Sequence, residues 1–265
     1  MTREQNIDIF HETRDYSISN TSMIRKLKKD TIVYSDSSLL ECLIEPPRFL
    51  VRCAVGFINK GTVSTAYEEA RTGNRVAILN FADGLCPGGL VEDGEYTQEE
   101  NICRCTNLYE SLITDIAKVN YYQFNKKYSY EDIYTNALIY SSGVSIFRDD
   151  ATYDWYRRSR KVDVISCAAP CGGNTKELES LIFERMKGIL LSAILHDVDT
   201  LILGAWGCGA FGQDRDIIAG LFGKAVKRYD KYFKKVIFAI RGSHSGQSDI
   251  TRFSLQFFKE FGYGI

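Results

Sequence analysis

Two adjacent carboxylates open a predicted helix directly after a glycine-rich loop. The carboxylates are Glu99 and Glu100, and the loop over residues 82–97 contains Gly88, Gly89 and Gly94. Glycines permit positive φ angles and close approach of the backbone, so loop N–H groups can converge on an oxygen-rich ligand. A carboxyl group beside such a ligand can act as a general acid or base. The arrangement suits a ligand that carries phosphate and a bond cleaved by acid catalysis.

A purely structural interpretation of these residues is also open. Acidic residues in a first turn stabilise a helix by roughly 0.3–1 kcal/mol through its dipole. Glycines also occur in plain strand-to-helix turns. The functional interpretation gains weight because the loop would leave the acid pair facing a cavity.

A second glycine-rich loop, over residues 203–214, joins an apolar strand to a helix. Its segment Gly207-Cys-Gly-Ala-Phe-Gly212 fits the G-x-G-x-x-G pattern, which is a weak signal alone. A dinucleotide fold needs further βα units and an acid that closes its second strand. Here one predicted strand follows, at residues 236–239, and Ile240 and Arg241 come after it. The loop therefore predicts a diphosphate cradle made of backbone amides and a helix N-terminus. A nucleotide triphosphatase is disfavoured, because the sequence has no G-x-x-x-x-G-K-[ST] motif.

Two weaker candidates lie elsewhere in the chain. Arg241 or His244, in the loop after the last predicted strand, could contact a ligand, but a solvated loop is the simpler interpretation. The run Asp154-Trp-Tyr-Arg-Arg158 is interpreted as packing rather than as a recognition surface.

Alternating strands and helices from residue 75 onward predict an α/β layered domain. Ligands in such sheets bind beyond the carboxyl ends of the strands, where all three loops lie. The predicted strands span residues 76–80, 136–140, 144–147, 162–168, 200–204 and 236–239, with a strand-like run at 49–55. The predicted helices span residues 62–71, 98–116, 175–196, 217–229 and 249–261. Asn174, with Glu177 three residues later, predicts the N-cap of the longest helix.

Composition predicts an ordinary soluble globular protein. The 265 residues are 45% hydrophobic and 25% charged, which suffices for a large core. A formal net charge of -1 provides no general attraction to nucleic acid or to an anionic membrane. No apolar run approaches the ~18–20 residues of a membrane span, and residues 1–10 lack a signal-peptide core. We therefore expect a cytosolic protein, or a nuclear one in a eukaryote.

The possible metal ligands are scattered along the chain. The spacings Cys103-x-Cys105 and Cys167-x-x-x-Cys171 match a zinc site poorly, and the three histidines are far apart. We expect reduced, mostly buried thiols. No ligand cluster demands a metal and no cofactor is expected, although a diphosphate ligand can bring Mg²⁺ with it.

Five motifs follow one another along the chain. They are Leu79-Asn-Phe-Ala82, Pro87-Gly-Gly89, Gln98-Glu-Glu100, Ala168-Ala-Pro170 and Leu203-Gly-Ala-Trp-Gly-Cys-Gly-Ala-Phe-Gly212. Together, in this order and spacing, they resemble the microbial-type poly(ADP-ribose) glycohydrolases. The resemblance runs from about Thr62 to the last helix, and it covers residues 1–60 only loosely.

The resemblance implies a macrodomain-like fold, with three α/β/α layers and a mixed central sheet. It places a catalytic, ADP-ribose-binding domain at residues 61–265 and an α-rich N-terminal extension, packed on the core, at residues 1–60. It implies an ADP-ribosyl glycohydrolase that cleaves the ribose glycosidic bond of poly(ADP-ribose) or of ADP-ribosylated macromolecules. Its ligand would be ADP-ribose or poly(ADP-ribose), and we expect a monomer with no membrane partner.

The resemblance also implies roles for individual residues. Glu100 would be the catalytic acid/base, Glu99 would position the ribose, and Gln98 would orient the pair. The second loop would cradle the diphosphate, with Phe211 packing on ribose. To act as an acid, Glu100 must hold a proton, which burial, the neighbouring carboxylate or the bound diphosphate would favour. The other implied ligand-binding residues are Asn80, Phe81, Ala82, Gly88, Gly89, Gly204, Gly207, Cys208, Gly209, Ala210 and Gly212, of which Asn80 and Ala82 would border the ribose and adenine.

One position departs from the family pattern. The family has three glycines before a short spacer and Gln-Glu-Glu, whereas this chain has Leu90 as the third residue and then seven residues before Gln98. A leucine adds bulk and restricts φ. This departure keeps open a non-hydrolytic module that binds ADP-ribose, and a hydrolase of small ADP-ribose derivatives remains a third possibility.

Overall fold

The computed structural model describes residues 1–128, 133–172, 175–242 and 246–262. The strands within them are β1 Thr31–Tyr34, β2 Ala54–Ile58, β3 Val76–Phe81, β4 Leu138–Arg148, β5 Trp155–Cys167, β6 Thr200–Leu203 and β7 Lys235–Ala239. They form one sheet in the order β1-β4-β5-β3-β6-β7-β2. In this order, the strands β5, β3, β6, β7 and β2 are parallel to one another. β4 is antiparallel to both β5 and β1. The predicted mixed sheet of an α/β fold is confirmed.

Helices cover both faces of this sheet. The α-helices are α1 Arg3–Ser19, α2 Thr21–Lys29, α3 Thr62–Ala70, α4 Gln98–Cys105, α5 Leu108–Leu112, α6 Asp115–Ala117, α7 Phe124–Tyr128, α8 Lys176–Leu195, α9 Arg215–Arg228 and α10 Gly246–Phe261. Short 3₁₀ helices span Ser37–Leu43 and Val91–Asp93, and a π-helical turn spans Lys118–Gln123. One apolar core contains side chains of α8, α9 and α10, and the other contains side chains of α1 to α5.

The central strand β3 shows how the sequence builds these two cores. Its apolar run is buried throughout, as expected for a strand with parallel neighbours and helices on both faces. Side chains alternate between the faces, so Ala77 and Leu79 enter the α8 core while Val76 and Ile78 enter the α4 core. The next residue in the second series is Asn80, which therefore points toward α4.

Two predicted strands are a single strand, and one predicted helix is broken. The strands expected at 136–140 and 144–147 are joined in β4 by an irregular register between Ser141 and Val144, where Gly143 has φ 72°. The helix expected at 98–116 ends at Cys105. Thr106 there forms an isolated bridge with Ile146, and such pairing with the sheet cannot coexist with a continuous helix.

Smaller differences concern the ends of elements. The strand-like run at 49–55 becomes a strand only from Ala54 onward, in β2. The N-cap of α8 is Thr175, whose hydroxyl accepts from the N–H of Leu178. The predicted cap, Asn174, lies outside the described residues.

Residues 1–60 contribute both helices and strands. β1 pairs with β4 at one edge of the sheet, and β2 pairs with β7 at the other. The boundary between an extension and a catalytic domain at residue 60 stays a prediction. Among the helices that the structure describes, none is long and apolar enough to cross a membrane.

Candidate active site

A cavity of ≈ 570 Å³ lies beyond the carboxyl ends of β3, β6 and β7. Its wall contains both Glu99 and Glu100 from the start of α4, and Gly207 and Phe211 from the loop after β6. The two glycine-rich loops are more than 100 positions apart in sequence, and they meet because parallel strands end at the same edge of a sheet. The structure thus brings the acid pair and the second loop to one site.

The carboxylate of Glu99 is held by hydrogen bonds from the central strand β3 and from the loop that follows it. One of its carboxylate oxygens accepts from the Nδ2 of Asn80 at 3.0 Å, and the other accepts from the N–H of Asp83 at 2.7 Å. The side chain is 2% exposed. Burial raises the pKa of Glu99 well above its ordinary value; the two hydrogen bonds act in the opposite direction, and the charges of Glu100 and Asp83 add to the rise. The structure therefore favours a carboxyl that keeps its proton to higher pH than a free glutamate.

Glu100 is held by the helix start and by the glycine-rich loop. Its Oε2 accepts from the N–H and the hydroxyl of Thr97, which is the N-cap of α4, and its Oε1 accepts from the N–H of Leu90 at 3.1 Å. The side chain is 5% exposed and lines the cavity. Glu100 therefore has a structural role in the capping box at the start of α4, in addition to the dipole stabilisation considered from the sequence. This role does not compete with a role in the cavity, because the same contacts fix the carboxylate at the cavity wall.

Gly89 is required by its contact with this carboxylate. Its φ is 60°, and a Cβ atom added there would lie 2.3 Å from Oε1 of Glu100. Only glycine satisfies both constraints at low cost. By contrast, Leu90 has φ −106°, which any residue can adopt, and its side chain is 49% exposed at the cavity wall. The expected backbone restriction at Leu90 is therefore absent, and the hydrogen bond that this position supplies comes from its backbone.

Gln98 joins the start of α4 to the end of β3. Its side-chain oxygen accepts from the N–H of Phe81 at 2.8 Å, and its Nε2 donates to the carbonyl of Leu79 at 2.8 Å. The Gln98 side chain thus bonds backbone groups of β3 in the way that a neighbouring strand would. These two bonds set the position of the helix start, and with it the position of the two glutamates that follow.

The loop over residues 205–212 forms the opposite wall of the cavity. It is anchored by Trp206, which is fully buried and donates from Nε1 to the carbonyl of Cys167 at 2.9 Å. Beyond this anchor, the N–H groups of Gly209, Ala210 and Phe211 donate to no acceptor within the described residues. Exposed, unpaired amides in a tight loop are suited to bind phosphate oxygens.

The cavity wall carries both signs of charge. Its cationic residues are Lys60, Arg215 and Arg241, and Arg215 begins α9 directly after the second loop. Its acidic residues are Asp83, Glu95, Glu99, Glu100 and Asp150, of which Glu99 and Glu100 begin α4. An anionic ligand group would therefore be repelled from the glutamates and attracted to the loop.

In a third part of the wall, the candidate Arg241 joins Asp150 and Tyr96, which were not predicted from the sequence. Asp150, in the turn between β4 and β5, is buried and caps α3 by accepting from the N–H groups of Val63 and Ser64. Arg241 donates to the carbonyl of Asp150 at 3.0 Å and to the hydroxyl of Tyr96 at 3.0 Å. No local sequence pattern marks these contacts, because they join four separate segments. The second candidate in the loop after β7, His244, lies outside the described residues.

Several predicted ligand-binding residues lie behind the cavity wall. Asn80 is fully buried and contacts Glu99 instead of the cavity, and Ala82 is also fully buried. Gly88 and Gly204 pack closely against aromatic rings. A Cβ atom added at Gly88 would lie 2.8 Å from the ring of Tyr109, and one added at Gly204 would lie 2.8 Å from the ring of Phe81. Gly212, with φ 68°, shapes the turn before α9. The predicted residues that do line the cavity are Phe81, Gly89, Gln98, Glu99, Glu100, Gly207, Cys208, Gly209, Ala210 and Phe211.

Metal ligands do not cluster in the part of the chain that the structure describes. No group of three or more His, Cys, Asp or Glu side chains is placed to hold an ion there.

Comparison with protein families identifies one match. The model described as microbial-type PARG, catalytic domain, matches residues 5–149. The match includes most of residues 1–60, which the motifs covered only loosely. No curated protein matches the chain in sequence.

Solved structures match over nearly the whole chain. The poly(ADP-ribose) glycohydrolase of Thermomonospora curvata has 25% identity and a TM-score of 0.86, covering 96% of this chain and 99% of that one. The same enzyme bound to the inhibitor ADP-HPD has 26% identity and a TM-score of 0.84, with the same coverage. The Deinococcus radiodurans enzyme in complex with ADP-ribose has 27% identity and a TM-score of 0.80, covering 90% of this chain and 98% of that one.

Proposed function

The chain belongs to the microbial-type poly(ADP-ribose) glycohydrolase family, and we propose that it hydrolyses the ribose glycosidic bond of poly(ADP-ribose) or of ADP-ribosylated macromolecules. The observation that supports this most directly is the meeting of Glu99 and Glu100 with the unpaired amides of residues 209–211 in one cavity. Family and structural neighbours, one of them an ADP-ribose complex, support a hydrolase over a non-hydrolytic binding module.

We propose an order for the ligand along the cavity. The diphosphate binds the loop of residues 205–212, where the amides of residues 209–211 have no acceptor within the described residues and Arg215 also lines the cavity. The ribose that carries the scissile bond then lies beside Glu100, and Phe211 packs against the sugar. The adenosine extends toward Lys60 and Arg241 at the remaining part of the wall. This order keeps the phosphates away from the carboxylates.

The chemistry follows from the placement of the acid pair. Cleavage of a glycosidic bond passes through an oxocarbenium-like state, so a carboxylic acid must protonate the leaving oxygen while water attacks C1 of the ribose. We propose Glu100 as this acid and, after departure of the leaving group, as the base that activates water. Glu99, held by Asn80 and Asp83, positions a ribose hydroxyl.

The decisive experiment replaces Glu100 by glutamine. Glu100→Gln keeps the size of the side chain but cannot transfer a proton, so we expect ADP-ribose release from poly(ADP-ribose) to fall by about 10²–10⁴-fold. Calorimetry should find ADP-ribose binding preserved, because the phosphate loop is untouched. Equal turnover by the variant and the wild type would overturn the assignment.

A matched control comes from the same cavity wall. Glu95 also lines the cavity, but it pairs with Arg3 near the surface and is partly exposed. Glu95→Gln removes one carboxylate without removing the proposed acid, so its turnover should stay close to that of the wild type. Loss of ADP-ribose binding in both variants would instead indicate misfolding. The cytosolic or nuclear location expected from the sequence stays a prediction.

A further inference from the structure

A groove distinct from the active-site cavity lies between the turn that joins α1 to α2 and the hairpin of β4 and β5. Its volume is ≈ 500 Å³, which is within the usual range for small-ligand sites. Tyr16 and Phe147 form an aromatic side, while Ser19, Asn20 and Ser159 add hydroxyl and amide groups. We call it the hairpin groove. Its composition suits a ligand with both a ring to stack and polar oxygens.

The outer half of β5, which contributes Ser159 to the groove, is strongly cationic. Arg157 and Lys161 flank this groove residue, each two positions from it along the strand. Both are exposed, and within the described residues neither has a carboxylate at ion-pair distance. Arg158 and Arg160 also lack such a partner there. Four basic residues among the five from 157 to 161 therefore carry charge that no carboxylate of the described residues neutralises.

An aromatic platform adjoins these cations. The ring of Tyr16 meets the rings of Trp155 at 4.8 Å and Phe147 at 5.1 Å, and the guanidinium of Arg148 lies 3.8 Å from the centroid of Trp155. Trp155 is 40% exposed and Tyr16 is 54% exposed. Rings that are braced on one side and open to solvent on the other can stack with nucleobases, and arginines beside them can bind the backbone phosphates. The sequence-based interpretation of the run from Asp154 as packing therefore accounts for only part of its surface.

We propose that the hairpin groove binds a second stretch of the poly(ADP-ribose) chain, away from the bond being cleaved. This inference rests on the proposed function, since that polymer offers both adenine rings and diphosphates. The whole chain has a formal charge of -1, so this attraction is local to the strand rather than general. α1 links the two sites: Arg3 pairs with Glu95 at the cavity, and Tyr16 lies at the groove about 20 Å further along the helix. A substrate of several units can span that distance, whereas a single unit cannot occupy both sites.

The test measures the kinetics of a variant with reversed charges beside the groove, on both short and long substrates. In the double variant Arg157→Glu, Lys161→Glu, we expect KM for long poly(ADP-ribose) to rise on the order of tenfold, because two cations beside the phosphates are reversed. The kcat should be unchanged, as should both constants for a substrate with one ADP-ribose unit. The salt dependence of KM for the long polymer should become weaker. An unchanged KM for long polymer would overturn the proposal.

A matched control reverses an arginine and a lysine elsewhere. Arg71 and Lys231 are exposed, line neither the cavity nor the groove, and within the described residues have no carboxylate at ion-pair distance. Arg71→Glu, Lys231→Glu has the same change of net charge, so an equal rise of KM in this control would show a general charge effect and overturn the proposal.

Binding measurements separate the remaining outcomes. With the Glu100→Gln protein, long poly(ADP-ribose) should bind more tightly than ADP-ribose, and the groove variant should lose that difference. If a single-stranded oligonucleotide of equal phosphate number displaces the polymer from the groove at the same concentration, the groove is a nucleic-acid site and the proposal fails. Failure of the wild type to hydrolyse both the long polymer and the one-unit substrate would instead overturn the proposed function, independently of these results.

Discussion

The two walls of the active-site cavity differ in how completely the protein satisfies their polar groups. At the glutamate wall, the carboxylates of Glu99 and Glu100 accept from Asn80, Asp83, Leu90 and Thr97 and are almost fully buried. At the loop wall, Gly209 and Ala210 are exposed, and their N–H groups have no acceptor in the described part of the chain.

This difference assigns separate tasks to the two walls. Groups that must transfer or hold a proton are fixed in advance, which lowers the cost of reaching the transition state. Groups that bind phosphate are left open, so the ligand itself completes their hydrogen bonds. We therefore expect changes at the glutamate wall to reduce turnover, and changes at the loop wall to reduce affinity.

After Glu100→Gln, the largest effect should come from Gly89→Ala. The added methyl group would lie 2.3 Å from Oε1 of Glu100, and φ 60° is unfavourable for alanine by roughly 1–2 kcal/mol. The carboxylate must shift, and a displacement of about 1 Å can cost about 100-fold in rate. Steady-state kinetics should find kcat reduced by about that factor, with ADP-ribose affinity changed much less.

Leu90→Gly is the neighbouring control for that variant. It creates the three-glycine pattern of the family, but φ −106° at this position requires no glycine, and the hydrogen bond to Glu100 comes from the backbone. We expect kcat to stay within a few-fold of the wild type. A large gain in activity would mean that the leucine side chain blocks the substrate.

An intermediate effect is expected for Gly207→Ala at the loop wall. Here φ is 79°, and an added Cβ would lie 2.9 Å from Cγ of Gln213 and 3.0 Å from Cβ of Ala169. The loop must move, so calorimetry should find ADP-ribose affinity reduced by about 10-fold or more, given roughly 1–2 kcal/mol of backbone strain. Gly209→Ala meets no atom within 4 Å and should bind nearly as the wild type does. Equal losses in both variants would contradict the prediction.

The smallest effect concerns stability and pH. The pKa of Glu99 is raised in the folded protein, mainly by burial, so above the ordinary value the folded state holds a proton that the unfolded state has lost. The free energy of unfolding of the wild type therefore falls as pH rises above the ordinary glutamate pKa. Glu99→Gln has no titrating carboxyl at this position and removes that loss. The Oδ1 of Asn80, which has no partner in the described residues, can accept from the new amide once the Asn80 side chain turns over.

Denaturant unfolding at pH 5 and pH 8 checks that prediction. The free energy of unfolding of Glu99→Gln minus that of the wild type should be larger at pH 8 than at pH 5, because the variant gains stability relative to the wild type as pH rises. Glu95→Gln, at a partly exposed carboxylate, should show no such trend. A difference that shrinks with rising pH would contradict the direction assigned to Glu99.

Elements with strong local patterns were predicted well, and those that depend on partners were not. β3, β6 and β7 are apolar runs, and their predicted limits agree with the structure to within a residue or so. The helix expected at 98–116 was wrong beyond Cys105, because Thr106 bridges to Ile146 of β4. The edge strand β1 was not predicted, since four residues paired only with β4 carry little pattern of their own.

The sequence by itself determined the strand, glycine loop and acid pair around Glu99, the second glycine loop, and the family to which the chain belongs. Those features depend on residues close to one another in the chain, whose types set the local backbone. Only the tertiary structure decided that Asn80 supports Glu99 from behind the wall, that Asp150 and Arg241 complete the cavity, and that Tyr16 and Ser159 line a separate groove. Such contacts depend on the order of strands in the sheet, which no local pattern specifies.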